Sequence, residues 1–345
     1  MKYFLFFIPF FFLYSCSEEK PTNAKPANID SLLTLYPDSV PLLILHGTKM
    51  MEQFQYDKAL EDGAKAFRLD SSKIESRMLY AQVLNNRPNR SIKDVLSAQR
   101  HFTCIIKKEP KNTKAIVSLA TTYSQQLDFE TSFKYINLAL KINPKYRDAY
   151  VLKGTNYRFL NKIDLAKSSY QTAVEQDPKF YEAYLMLGSL YEAEGNPLCL
   201  EYYLTARKLQ PKNVDVLYAL AYAKQNFGKL EEAKQIYRKM IRLDTTYTAA
   251  LFQQGFIFHK LQVPKSEKEY NVNMDSAYYF YNSTVTSTPK YVQAWHNLAC
   301  YYLERHKVTT DLDRTFAFSA LAKALEISPD FKLSKNMADS LARLK

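Results

Sequence analysis

Histidine and cysteine side chains are the first candidates for catalysis or metal binding in this chain of 345 residues. The sequence has no His-Glu-x-x-His segment and no Cys-x-x-Cys pair, so the spacing typical of a zinc site is missing. It also has no Gly-x-Ser-x-Gly turn and no glycine-rich phosphate loop, and only 7 glycines from which to build one. We therefore expect no enzyme, no metal and no cofactor. An active site assembled from distant side chains would escape a search for motifs.

Three cysteines stand alone in stretches that are predicted to be helical, namely Cys104, Cys199 and Cys300. A small, half-buried helix residue is the usual role for such a cysteine. In an oxidising compartment two of them could form a disulfide, but the sequence does not show whether any pair is close enough.

The fourth cysteine, Cys16, follows directly on an apolar N-terminal run. Lys2 precedes apolar residues 3–14, and a helix of that length is about 18 Å long against a bilayer core of about 30 Å. Residues 1–15 are therefore predicted to be a secretory signal peptide rather than a membrane span. Residues 13–16, Leu-Tyr-Ser-Cys, resemble a bacterial lipoprotein box, in which the cysteine becomes the lipidated first residue. An ordinary signal peptide with an incidental cysteine is the alternative.

The residues after this cysteine are predicted to form a lipidated flexible tether over 16–28. Residues 20–28 are polar and contain proline, with no apolar periodicity. The three residues that follow the cysteine resemble the surface-export signal of Bacteroidetes lipoproteins, and they are Ser17, Glu18 and Glu19. The resemblance implies an outer-membrane lipoprotein with a stable lipid anchor, facing either the cell surface or the periplasm.

One pattern recurs through most of the remaining chain. Four consecutive segments, 112–144, 147–178, 181–211 and 214–244, each have the features of two helices followed by a stop. In the segment that starts at Arg147, large and small residues alternate at regular positions: Tyr150, Gly154, Tyr157, Ala166, Tyr170, Ala173 and Pro178. Large residues fill the space between helices that small residues allow to approach closely, and proline ends the second helix.

These residues resemble the tetratricopeptide repeat. Weaker matches start at Val40, Ile74, Thr248 and Val292, and the last two are stretched by about ten and about six residues. The resemblance implies an all-α fold, a right-handed superhelical solenoid of about eight helix pairs over 40–331. The first helix of each repeat would line a concave groove.

Shorter segments flank the predicted array. We expect a short helical N-cap segment over 29–39 and a capping helix with a polar outer face over 332–345. The charged insertion at 263–275 is expected to be a loop, either solvated or in contact with a partner.

In this family, ligands usually lie against set positions of the first helices, and in the second half of the array these positions carry aromatic and polar residues. They are Tyr218, Tyr222, Phe252, Phe256, His259, His296, Asn297 and Cys300. Two aromatic pairs one helical turn apart would form an apolar strip for an extended or helical peptide. Alternatively, a neighbouring helix or the insertion at 261–274 covers the strip.

Composition restricts the function classes. The net charge is +12, but the lysines are scattered rather than clustered, which favours a solvated surface over a nucleic-acid site, and an exported protein would not meet nucleic acid. We expect a membrane-anchored, non-catalytic scaffold that binds envelope proteins or peptides in its groove. The alternative is a surface lipoprotein of an uptake system that binds a carbohydrate or small ligand. An envelope enzyme would require paired carboxylates in a deep pocket.

Overall fold

The computed structural model describes residues 28–261 and 263–343. Within these ranges every regular element is a helix, so the predicted all-α fold of helix pairs is confirmed. The predicted signal peptide and tether, including Cys16, Ser17, Glu18 and Glu19, lie outside the described residues.

The described part of the chain divides into two compact units, with the boundary between Tyr135 and Ile136. The first contains α1 (Ile29–Leu35), α2 (Val40–Glu52), α3 (Tyr56–Leu69), α4 (Ile74–Asn86), α5 (Ile92–Lys108) and α6 (Thr113–Gln125), and α7 (Phe129–Ile142) contains the division. The second contains α8 (Arg147–Phe159), α9 (Ile163–Gln176), α10 (Tyr181–Ala193), α11 (Cys199–Leu209), α12 (Val214–Asn226), α13 (Leu230–Leu243), α14 (Thr248–Phe256), α15 (Glu267–Ser287), α16 (Val292–Glu304), α17 (Asp311–Ile327) and α18 (Lys332–Ala342). A π-helical turn, Ile257–Leu261, continues α14.

In the first unit, α2 packs on α3 and α4 packs on α5, each pair joined by a short loop. Phe102 and Ile105 on α5 are fully buried with Leu119 of α6 in one apolar cluster. The rings of Tyr123 and Tyr135 stack with centroids 5.6 Å apart, which joins α6 to the first half of α7. Burial of such large side chains between neighbouring pairs supplies the stability that one pair alone would lack.

In the second unit the pairs α8/α9, α10/α11, α12/α13, α14/α15 and α16/α17 follow one another, and α18 packs on α17. Together with the pairs α2/α3, α4/α5 and α6/α7, the described residues contain eight helix pairs. One capping helix, α18, follows them, as predicted. The helices of three pairs approach closely where a glycine faces a tyrosine ring, at Gly154–Tyr170, Gly188–Tyr203 and Gly255–Tyr281. A Cβ atom at any of these glycines would lie within 2.8 Å of the ring.

A second recurring contact joins successive repeats. The Tyr150 hydroxyl donates to the Pro144 carbonyl oxygen at 2.9 Å, and the Trp295 indole N–H donates to the Pro289 carbonyl oxygen at 2.8 Å. Tyr184 repeats the arrangement with the carbonyl oxygen of Pro178. An aromatic residue on the first helix thus satisfies a carbonyl group at the proline stop that precedes it.

The expected loop at 263–275 is wrong for most of its length, because α15 begins at Glu267 and runs for 21 residues. Ser266 caps the helix by accepting a hydrogen bond from the Glu269 N–H. Asn273 and Met274 lie in the added turns of α15 and are buried. The segment therefore packs against the rest of the unit as a helix, despite its charged residues. The extra length of this repeat is therefore mostly extra helix.

Candidate functional site

An aromatic cleft of about 380 Å³ lies between α12 and α14 of the second unit. Three of the residues predicted to line the groove meet there: Tyr222, Phe252 and Phe256. The Phe252 and Phe256 rings stack with centroids 6.2 Å apart, and Tyr222 is 38% exposed. Tyr222 is therefore exposed and Phe256 half-buried at the cleft, whereas Phe252 is buried in the core.

Tyr218 lies one helical turn before Tyr222 on α12, and its ring stacks on the buried side of the Tyr222 ring. Their rings are almost parallel, with centroids 5.9 Å apart. Tyr218 is half-buried, and burial raises the pKa of its phenol. It is therefore a neutral, apolar support for the exposed ring rather than a wall of the cleft.

The floor of the cleft is made of side-chain amides that hydrogen-bond to one another. The Tyr237 hydroxyl donates to Gln225 Oε1 at 3.2 Å, and Gln225 Nε2 donates to Gln253 Oε1 at 2.9 Å. Gln253 Nε2 then donates to the Tyr218 hydroxyl at 3.5 Å. Because both glutamines are buried and fixed in this chain, the floor is polar, rigid and uncharged.

His259 does not face the cleft, contrary to the prediction. Its side chain is 1% exposed, and Nε2 lies 3.3 Å from Glu304 Oε2. The prediction assumed α-helical spacing after Phe256, but the π-helical turn adds about one residue per turn and rotates the following side chains. Leu261 lines the cleft instead.

His259 forms part of an ion cluster with Lys260 and Glu304. Lys260 Nζ lies 2.6 Å from Glu304 Oε1. The close contact with His259, together with the hydrogen bonds from Lys260, overcomes the effect of burial and lowers the pKa of the Glu304 carboxyl to about 2. The π-helical turn thus connects α14 to α16 electrostatically, next to the cleft.

His296 and Asn297 are also kept from the cleft, because neighbouring elements cover them. His296 Nδ1 lies 3.1 Å from Ser334 Oγ on the capping helix α18, and burial lowers the pKa of the imidazole. Asn297 is 9% exposed and hydrogen-bonds to the Tyr281 side chain. For these two residues the alternative interpretation, coverage by neighbouring elements, is the one that the structure supports.

Four cleft residues were not named from the sequence: Gln225, Asn226, Gln253 and Leu261. The first three occupy repeat positions that usually face ligands in this family, so the same rule that selected the aromatic residues would also have selected them. No sequence signal indicated Leu261, because its place depends on the π-helical turn.

The cysteines show no reactive arrangement. Cys104, Cys199 and Cys300 are all free thiols, and burial raises the pKa of Cys199 to about 11. Cys300 Sγ lies 3.7 Å from His296 Nε2, but burial also raises the pKa of this thiol, which disfavours the nucleophilic thiolate.

Neither a metal site nor a membrane span is found in the part of the chain that the structure describes. Over residues 28–261 and 263–343, no three His, Cys, Asp or Glu side chains converge as metal ligands would. In the same ranges, no helix combines the length and apolarity needed to cross a bilayer.

Comparison with known proteins identifies the repeat type. Tetratricopeptide-repeat models match residues 151–197 and residues 214–247, and no relative was found among curated proteins. A chain of the Cut9–Hcn1 hetero-tetramer of the APC/C is similar in fold, with a TM-score of 0.58 and 16% identity over 91% of this chain. This chain spans 58% of the length of that one.

A second similar structure is the C-terminal part of a TPR repeat-containing protein from Cytophaga hutchinsonii. Its TM-score is 0.54 at 18% identity, over 74% of this chain and 97% of that one. At such identities the likeness concerns the fold alone. The chain therefore contains tetratricopeptide repeats, at residues 151–197 and 214–247, within an all-α fold of helix pairs.

Proposed function

We propose that this protein is a non-catalytic scaffold that binds an uncharged, apolar segment of a partner protein in the cleft between α12 and α14. Tetratricopeptide repeats generally mediate protein–protein binding, which supports the general class. The observation that carries the specific proposal is the exposed Tyr222 ring beside the half-buried Phe256 ring, above a fixed, uncharged amide floor.

The chemistry of the cleft favours one kind of partner side chain. The faces of Tyr222 and Phe256 and the side chain of Leu261 offer apolar surface, which an aliphatic or aromatic side chain would cover. The amide group of Asn226, which is exposed, can bond the peptide backbone beside that side chain. None of the seven residues that line the cleft is charged, so a carboxylate or ammonium group would lose its hydration there without gaining a partner.

A fluorescence-anisotropy screen of apolar and charged peptides against the purified full chain tests this proposal. The matched variants are Tyr222→Ala and Phe256→Ala, with Tyr279→Ala as a control, because Tyr279 is 64% exposed and does not line the cleft. We expect each cleft variant to weaken binding of an apolar peptide by about tenfold, as loss of an aromatic anchor does. Equal binding by the two cleft variants and the control would refute the proposed site.

We also propose that the chain is anchored in the outer membrane through a lipid on Cys16. The support is the sequence alone: the short apolar run before Cys16 and the polar tether after it. Metabolic labelling with an alkyne fatty acid should mark the wild-type chain and not the Cys16→Ala variant. Equal labelling of both would contradict the anchor.

The side of the membrane needs a separate experiment. If Ser17, Glu18 and Glu19 act as a surface-export signal, protease added to intact cells will digest the repeats while a periplasmic control protein survives. Survival of the repeats until the outer membrane is opened would place them in the periplasm.

A further inference from the structure

The two stretched repeats meet at one edge of the second unit. In the repeat that starts at Thr248 the extra residues precede and extend α15, and in the last repeat they form the connection between α16 and α17. Residues 264–267, 270–271 and 305–307 from these two insertions line a solvent-open cavity of about 610 Å³. Small-molecule sites usually measure about 300–1,000 Å³.

A buried carboxylate holds the second insertion in shape. Asp313 on α17 accepts hydrogen bonds from the Thr310 N–H at 2.9 Å and the Thr310 hydroxyl at 2.7 Å. It also pairs with Arg305 Nε at 2.5 Å. Burial alone would raise the pKa of Asp313, but these bonds lower it to about 2, so the carboxylate stays charged and the loop stays fixed.

Hydrogen bonds also fix the first insertion, on the side that packs against α16. The Tyr270 hydroxyl donates to the carbonyl oxygen of Glu304, which fixes the ring as one wall of the cavity. The Lys265 N–H donates to Glu269 Oε2 at 2.8 Å, so the start of the helix is ordered as well. Tyr270 and the start of α15 are therefore fixed before any ligand arrives, which lowers the entropic cost of binding on this side of the cavity.

The wall of this cavity is predominantly basic. Lys265, Arg305 and Lys307 carry permanent positive charges, and the only carboxylate among its lining residues is Glu267. Lys307 Nζ lies 3.1 Å from Glu267 Oε1, and Arg305 Nε pairs with Asp313. Of these three cations, Lys265 alone forms no ion pair with the residues that the structure describes. His306 adds a further nitrogen group to the wall. The unpaired ammonium group of Lys265 favours an anion on this wall.

The uncharged part of the wall indicates what kind of anion would fit. Ser266, Asn271 and the ring of Tyr270 line the cavity, and Pro264 is the only aliphatic residue among them. Such a wall offers hydrogen bonds to many hydroxyl groups and one flat ring on which a sugar could lie, but little surface for an apolar ligand. The dimensions allow one or two sugar rings.

We propose that this cavity binds an acidic sugar, with its carboxylate between Lys265 and Lys307 and one ring face against Tyr270. The site is separate from the aromatic cleft between α12 and α14 and does not depend on peptide binding there. The lysine side chains of the two insertions imply an anionic ligand, and the polar side chains between them imply a ligand with many hydroxyl groups.

Isothermal titration of the full chain with digalacturonic acid tests this inference, with maltose as a neutral disaccharide and sodium phosphate as a simple anion. The decisive variant is Lys265→Gln/Lys307→Gln. The matched control is Lys290→Gln/Lys332→Gln, which removes two exposed lysines of the same unit outside the cavity. Both variants keep Asp313 and its partners, so the loop remains folded.

We expect digalacturonic acid to bind the wild type and the control variant, to bind the Lys265/Lys307 variant at least about tenfold more weakly, and to bind less tightly as salt is added. Phe256→Ala should leave this binding unchanged, which separates it from the peptide proposal. Equal affinity of both lysine variants would overturn the site. Equal affinity for maltose would overturn the role of charge, and equal affinity for phosphate would overturn the assignment to a sugar.

Discussion

Replacement of Gly188 by alanine tests whether close helix approach controls the stability of the second unit. An added Cβ at this position would lie 2.4 Å from Cε1 of the Tyr203 ring. Ordinary contacts between carbon atoms are about 3.5–4.0 Å. The ring cannot easily withdraw, because Tyr203 is 2% exposed and its hydroxyl donates to Glu192 Oε2 at 2.8 Å.

Two effects of opposite sign decide the outcome. Alanine is favoured over glycine inside a helix by about 1 kcal/mol, so propensity alone would stabilise α10. Inserting a methyl group into a packed core costs about 1–3 kcal/mol, and the overlap of more than 1 Å implied by the 2.4 Å distance indicates the upper part of that range. We therefore expect a net loss of about 1–2 kcal/mol in the free energy of unfolding.

Thermal unfolding followed by circular dichroism measures this loss, and hydrogen exchange locates it. For a unit of this size the expected shift corresponds to a lowering of Tm by about 2–8 °C. Repeat arrays do not always unfold in one step, so faster exchange of amides in α10 and α11 should accompany the shift. Gly154→Ala, which would bring a Cβ 2.6 Å from Cε1 of Tyr170, should behave similarly.

The ring itself provides the control. In a Tyr203→Leu background the obstructing ring edge is gone, so Gly188→Ala should be neutral or stabilising by up to about 1 kcal/mol. If Gly188→Ala instead raises the Tm of the otherwise unchanged chain, helix propensity outweighs packing and the role assigned to the glycine–ring contacts is refuted.

Three further predictions concern Asp313, Trp295 and the three cysteines of the described residues. Because the pKa of Asp313 is about 2 in the folded chain and about 3.9 in unfolded chains, its ionisation stabilises the fold above pH 4. That contribution, about 1–2 kcal/mol, is lost between about pH 4 and pH 2, and urea unfolding should show a smaller loss in this range for Asp313→Asn. Trp295→Phe, which removes a hydrogen bond to a proline carbonyl, should cost about 0.5–1.5 kcal/mol by the same assay, and an unchanged midpoint would contradict this. Cys104, which is exposed, should react with Ellman's reagent in the folded chain, whereas Cys199 and Cys300 should react only after unfolding.

The repeat pattern was readable from the sequence because its physical basis is local and periodic. Gly154 and Tyr170 stand at fixed positions of one repeat, and the structure brings them into contact as the pattern requires. The three aromatic residues Tyr222, Phe252 and Phe256 were found in the same way, since residues one turn apart on a helix share a face. The low glycine content of the chain also favoured helices over a turn-rich β fold. The predicted lipid on Cys16 depends on the sequence alone and stays a prediction.

Tertiary structure decided everything that depends on departures from the repeat. The π-helical turn changes the spacing after Phe256, so His259 is buried against Glu304 and Leu261 takes a place in the cleft. His296 is covered because α18 packs over the end of the array, a contact between residues 38 positions apart that no short-range pattern specifies.

The segment at 263–275 shows the same limit, since burial of Asn273 and Met274 makes helix of a stretch whose charge indicated a loop. The basic cavity between the two insertions depends equally on the three-dimensional arrangement. Lys265 and Lys307 are 42 positions apart in the sequence, and only the packing of α15 beside α16 places both on one wall. Periodic patterns in a sequence report contacts within a repeat, whereas insertions, helix irregularities and chain ends are positioned by packing between elements that are distant in the chain.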